Sequence, residues 1–159
     1  MNDFHSGQNY PRRDNQQFSR RDSRPSGPDF DLKFGLDHIS GWLKGKIDAE
    51  AISYSEKFGK YLKENYFTTA QIRKIFGEVK MLQQKGWDND KTLTALLLLK
   101  PKLAYSAERI HKDCAYTFKD FLCAGIDIIN KSENPSEVFQ NFANLFEAIL
   151  AYHRSYGGK

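Results

Sequence analysis

From Ile47 to the closing glycines the apolar residues return every third or fourth position, and nowhere do they alternate as a strand requires. That single rhythm excludes sheets and sandwiches and leaves helices packed on one another. The fold class expected is all-α, a compact bundle of about five helices over residues 32–159. Residues 1–31 stand apart from it: five arginines, five aspartates, no lysine and no apolar periodicity read as a disordered tail. Its arginines, spaced among Tyr10 and Phe18, are compatible with loose RNA contact, but the aspartates cancel their charge.

The most fully specified helix follows Phe67. Thr68 stands as N-cap with Gln71 three residues on, the spacing of a capping box, while Phe67 and Ile72 occupy the two positions of a hydrophobic staple. Gly86 supplies the stop. Between them Ile72, Ile75, Phe76, Val79 and Leu82 make one apolar stripe. Arg73, Gly77, Lys80 and Gln84 share a row on another face, with no acid one turn from either cation, so both are expected to be free for an external anion. Lys74 instead has Glu78 at i+4 and reads as an ordinary surface pair. Gly77 admits two readings: a bulky or anionic partner approaches the backbone there, or another helix packs closely.

Elsewhere the pattern predicts a brief helix or ordered lead-in over 36–46 and a full helix over 47–64. A Leu-rich helix, 91–100, is apolar nearly all round and is therefore expected at the centre of the packing. Pro101 should break or kink the chain at Lys100 and present Lys100-Pro101-Lys102 as an exposed, doubly charged corner. Steps of three and four from Leu103 to Ile128 then predict one helix of about 28 residues, some 42 Å long at about 1.5 Å per residue. On it Glu108 and Lys112 read as a surface pair. The last helix is announced by Asn134 as N-cap, Pro135 at its first position and Glu137 closing a capping box, and ends near Tyr156.

Chemistry-bearing constellations are few. The four histidines are scattered, no HExxH or CxxC occurs, and His111 with Cys114 gives two potential ligands where zinc needs three or four. No catalytic residue, metal site or cofactor is expected. Cys114 and Cys123, nine residues apart on one helix and ~13 Å apart along it, cannot bridge each other and read as buried hydrophobes of a reduced compartment. No apolar run of membrane-spanning length and no secretory h-region is found, so a cytoplasmic location is expected. With 24 Lys and Arg against 20 Asp and Glu, the charge of +4 permits nucleic-acid binding without requiring it. The coherent lead is cationic: Arg73 and Lys80, the Lys100–Lys102 corner, and Arg109 two turns beyond. Brought to one side they would form a groove for a phosphate backbone, with Tyr105 placed to stack on a base.

Three segments carry a family resemblance: TTAQIRKIFGEV at 68–79, LLLLKPKLAYSAER at 96–109 and FANLFEAILAYHRSYGG at 142–158. In order and spacing they resemble the small subunit of the type III-A CRISPR interference (Csm) complex. The resemblance implies a helical protein without enzymatic activity of its own, acting in antiviral defence. Several copies would stack on one another along the crRNA and its target RNA, touching the complex's repeating backbone subunit and its large subunit. It implies RNA-backbone contacts at Arg73 and Lys74 in the QIR segment, at Lys100, Lys102 and Arg109 in and after KPKLAY, and at Arg154 in AYHR. Lys80 joins these from its place on the helix row. The alternative from another class is a helical protein–protein interaction scaffold whose cations meet acidic protein surfaces and bind no RNA.

Overall fold

The computed structural model describes residues 26, 27 and 30–159 of the 159-residue chain. Ser26–Gly27 and Phe30–Asp31 form a minute antiparallel pair, and six helices follow: α1 (Leu32–Lys44), α2 (Ala49–Glu64), α3 (Thr69–Lys85), α4 (Asn89–Ile110), α5 (Asp113–Lys131) and α6 (Pro135–Ser155). The all-α expectation holds, with six helices in place of about five. Most of the tail, 1–31, lies outside the described residues. Its last two positions belong to the packed body: Phe30 is buried against Tyr54, Phe58 and Tyr61, and the Asp31 carboxylate accepts from the Lys33 N–H to cap α1. That cap also explains why α1 begins four residues before the expected lead-in.

α6 is the hub, packed against α1, α2, α3 and α5. Its contact with α2 is main chain to main chain, because Gly59 lets the two backbones approach: a Cβ there would stand 2.6 Å from the His153 nitrogen. α3 runs antiparallel along α6, tied by Phe76 on Phe146 at 5.2 Å and Trp87 on Phe139 at 5.6 Å. Its capping box forms as the spacing predicts, Gln71 N–H to Thr68 Oγ1 and Thr68 N–H to Gln71 Oε1, and Gly86 ends it at φ 79°.

Two boundaries differ from expectation. α4 runs unbroken through Pro101, and both Pro101 and Leu97, whose carbonyl is deprived of its donor, lie on the exposed outer face. The break falls instead at His111, which adopts the left-handed conformation (φ 54°, ψ 47°) and donates its N–H to the Ala107 carbonyl at 2.8 Å. The expected 28-residue helix is therefore the end of α4 and all of α5, folded back on each other. Apolar spacing survives the reversal because both arms face one core. Nor is the Leu-rich segment central. Leu96 and Leu99 are buried, whereas Leu97 and Leu98 are 36% and 56% exposed and continue into exposed Pro101, Ala104 and Tyr105 as an outward apolar row.

At α6 Asn134 and Pro135 take their expected positions, but no capping box forms: the Asn134 amide donates to the Glu137 carboxylate at 2.7 Å and caps no main-chain N–H. Cys114 and Cys123 both lie on α5 as free thiols, the first buried and the second half-buried, and burial pushes both thiols above their ordinary range. No described helix is long and apolar enough to cross a membrane.

Candidate nucleic-acid interface

Where α4 leans on α3, one turn of each helix contributes a wall of a cleft of about 320 Å³ lined by Lys74, Glu78, Lys102, Tyr105, Ser106 and Arg109, with Ile75 at its base. The local reason is register. Ile75 and Val79 turn inward on α3, which leaves Lys74 and Glu78 on the side toward α4; Leu99, Leu103 and Ala107 turn inward on α4, which leaves Lys102, Ser106 and Arg109 on the side toward α3. Tyr105 forms the outer lip at 70% exposure, its ring face open.

Electrostatically the cleft is a cationic edge with one acid in it. Lys102 Nζ lies 2.7 Å from Glu78, so the Lys74–Glu78 pair suggested by spacing is replaced by a bridge between helices. Lys74 and Arg109 have no ion-pair partner among the described residues. The pair of opposite charges at the mouth contributes ~0–1 kcal/mol, little enough for a phosphate to compete for Lys102. Two unneutralised cations, one exchangeable cation and an exposed ring can hold a phosphate and the face of a neighbouring base.

Not every expected contact residue comes here. Lys80 has turned the other way: its ammonium reaches Glu147 of α6 at 3.1 Å and Gln83 at 3.2 Å and lies 5.6 Å from the centre of the Phe76 ring. The expectation that it is free for an external anion is therefore corrected, because helix spacing does not reveal an acid on a neighbouring helix. Lys100 binds Asp127 of α5 at 2.5 Å, and that hydrogen bond raises the lysine above its ordinary range. The Lys100–Lys102 corner does not exist as a unit: within a continuous helix the two side chains serve different neighbours, α5 and α3. Arg73 is exposed and unpaired among the described residues but lies outside the cleft lining, and Arg154 is exposed near the end of α6. Gly77 faces open space, with nothing within 4 Å of a Cβ placed there, which removes the reading that another of the described helices packs on it. Glu108, expected to pair with Lys112, accepts from Tyr116 Oη at 2.7 Å, because the turn at His111 carries Lys112 off the helix. Ser106 is a cleft residue that composition and spacing gave no signal for. Among the described residues no group of three His, Cys, Asp or Glu is arranged to hold a metal ion.

The family model described as Csm2 Type III-A matches residues 47–159, a span that contains α2 to α6 and every cleft residue. No curated protein and no solved structure matches the chain.

Proposed function

Because the chain belongs to the Csm2 Type III-A family, small subunits of the type III-A Csm complex, we propose that it lies along the crRNA and target RNA of that complex and grips their phosphate backbone in the α3–α4 cleft. The observation that carries this reading is the convergence of Lys74, Lys102 and Arg109 beside the open ring of Tyr105. Contacts to phosphate and shape suffice, since guide pairing supplies sequence specificity. The protein has no catalytic step of its own and works in antiviral defence in the cytoplasm. Several copies stack on one another, and they also touch the backbone and large subunits. The outward apolar row of α4, Leu97, Leu98, Pro101 and Ala104, supports such protein contacts. One copy holds RNA weakly and the stacked array holds it by avidity.

The reading as a protein-interaction scaffold that binds no RNA draws on the same apolar row and on the pairing of Lys80 and Lys100 within the chain. Fluorescence anisotropy of a labelled single-stranded RNA across a salt series separates the two. Three cleft cations, each releasing ~0.7 counterion from a single strand, predict a slope of log K against log salt near −2. Lys74→Glu with Arg109→Glu should flatten most of that slope, whereas Lys80→Glu with Lys100→Glu should leave it. Affinity indifferent to the first pair, with normal circular dichroism, would refute the cleft.

A further inference from the structure

At the end of the bundle where α2 turns into α3 and α6 runs out, the surface holds a second hollow, of about 600 Å³, on whose rim stand Lys63, Glu64, Tyr66, Thr68 and Lys159. That volume is within the ~300–1,000 Å³ range of small-ligand sites. Tyr66 is the odd residue. It is 80% exposed and held at φ 60° in the left-handed region, where a bulky side chain is sterically disfavoured and asparagine or glycine would sit at lower cost. So exposed a ring adds little to the core, so the fold does not account for a tyrosine here. Lys112 brings a further cation to the same place, its Nζ 3.5 Å from the Tyr66 carbonyl. Lys63, Lys112 and Lys159 have no ion-pair partner among the described residues, and Glu64 is the one acidic side chain among the described residues of the lining.

The floor is fixed. His153, fully buried, donates from Nε2 to the Phe67 carbonyl at 2.6 Å, and Gly158 lies against its ring where a Cβ would collide. Two of the first three N–H groups of α3 are already satisfied, Thr69 by the Lys159 carbonyl at 2.7 Å and Gln71 by Thr68 Oγ1 at 3.3 Å. An anion arriving here therefore meets lysine side chains beside a helix terminus that is already largely capped.

We propose that this hollow takes one unpaired base of single-stranded RNA, stacked on Tyr66, with the flanking phosphates on Lys63, Lys112 and Lys159. The proposal rests on the reading of the protein as an RNA binder, and it adds a base-holding site distinct from the α3–α4 cleft. An acidic peptide would use the lysines but has no need of the open ring, and that favours a nucleotide.

The test is ¹H–¹⁵N NMR of the full chain titrated with AMP and, separately, with ribose 5-phosphate. AMP should move the amides of Thr68, Gly157 and Gly158; Tyr66→Asn should abolish the shifts and Tyr66→Phe keep them. Asparagine suits the left-handed backbone, so an unchanged or raised Tm shows the variant folded. On a short oligouridylate, Tyr66→Asn should cost roughly five- to tenfold in affinity, while an abasic oligonucleotide of equal length binds both proteins alike. Equal shifts with ribose 5-phosphate would reduce the site to an anion or acidic-peptide contact and overturn the proposal, as would no shifts at all. Shifts with AMP in a protein whose RNA affinity ignores the Lys74 and Arg109 variants would overturn the cleft and leave this site standing.

Discussion

Alanine at Gly59 and alanine at Gly77 are the same chemical change in two helix interiors, and the packing gives them opposite signs. Either one removes glycine's backbone freedom from the unfolded chain and contributes ~1 kcal/mol in favour of the helix. At Gly77 a new Cβ meets nothing within 4 Å, so that gain should appear whole, a Tm rise of about 3–5 °C for a body of this size. At Gly59 the Cβ would stand 2.6 Å from the His153 nitrogen, 2.8 Å from the Ile149 oxygen and 2.9 Å from the Tyr152 Cβ. The first two are main-chain atoms of α6, and no rotamer change moves them. Relaxed contacts need ~3.5–4.0 Å, so α2 and α6 must part by about 1 Å, at an overpacking cost of ~1–3 kcal/mol. After the propensity gain, Gly59→Ala should be destabilising by up to about 2 kcal/mol, and urea unfolding followed at 222 nm reads both variants against the parent. Parental stability in Gly59→Ala would still fall within the range, but a gain equal to that of Gly77→Ala would refute the close α2–α6 approach. If Gly77→Ala were destabilising, the outer face of α3 could not be open in the free protein. A variant that is more stable yet enters the assembled complex poorly would instead mean that a partner uses the space at Gly77.

Burial holds His153 below its ordinary range, with the Arg154 charge acting the same way and the Phe67 carbonyl opposing. The fold thus prefers the neutral ring. Above about pH 7 the ring is neutral folded or unfolded, and stability does not depend on it. As pH falls through the unfolded value near ~6.5 the unfolded chain takes up the proton first, so stability drops from there downward. Urea midpoints at pH 7.5 and 5.5 should differ more in the parent than in His153→Gln, and an equal difference would exclude His153 as the cause. Pro101→Ala supplies the missing donor to the Leu97 carbonyl in a continuous helix and should stabilise by ~1–3 kcal/mol in thermal unfolding; destabilisation would mean that the proline's shape is used in the packing. Cys114 is 2% exposed and its thiol is raised by burial, so Ellman's reagent should label it only at the rate of unfolding, while half-buried Cys123 reacts faster.

Helix existence was legible wherever local chemistry decides it. Thr68, Gln71 and Gly86 act within one turn of the ends of α3, and the structure uses all three as spacing implies. The α4–α5 boundary was not legible, because its signal is absent rather than obscure: neither glycine nor proline marks His111, while the proline that should mark a break sits ten residues earlier in an unbroken helix. Proline's cost falls when the orphaned carbonyl faces solvent, and that depends on which side of α4 is outside. The same unknown misplaced the Leu-rich segment. Four consecutive leucines cannot all face one side of a helix, and two of them look outward.

The candidate site shows the same limit in electrostatic form. Pairing along one helix can be read at three and four residues, and on that basis Lys80 was free and Lys74 was paired. The acids that decide the matter lie 67, 27 and 24 residues away in sequence, Glu147 for Lys80, Asp127 for Lys100 and Glu78 for Lys102. Each bridge joins two helices, α3 to α6, α4 to α5 and α4 to α3, and each takes an ammonium that the row of cations had offered to RNA. By taking Glu78, Lys102 leaves Lys74 unpaired beside Arg109, so the bridge that fills one edge of the cleft also exposes the charge on the other. Because an exposed pair is worth only ~0–1 kcal/mol and Lys102 already counts among the three cations of the slope near −2, Glu78→Gln should strengthen RNA binding modestly by removing the competing acid and leave the salt slope unchanged. Weaker binding in that variant would mean that Glu78 holds Lys102 in place for the phosphate.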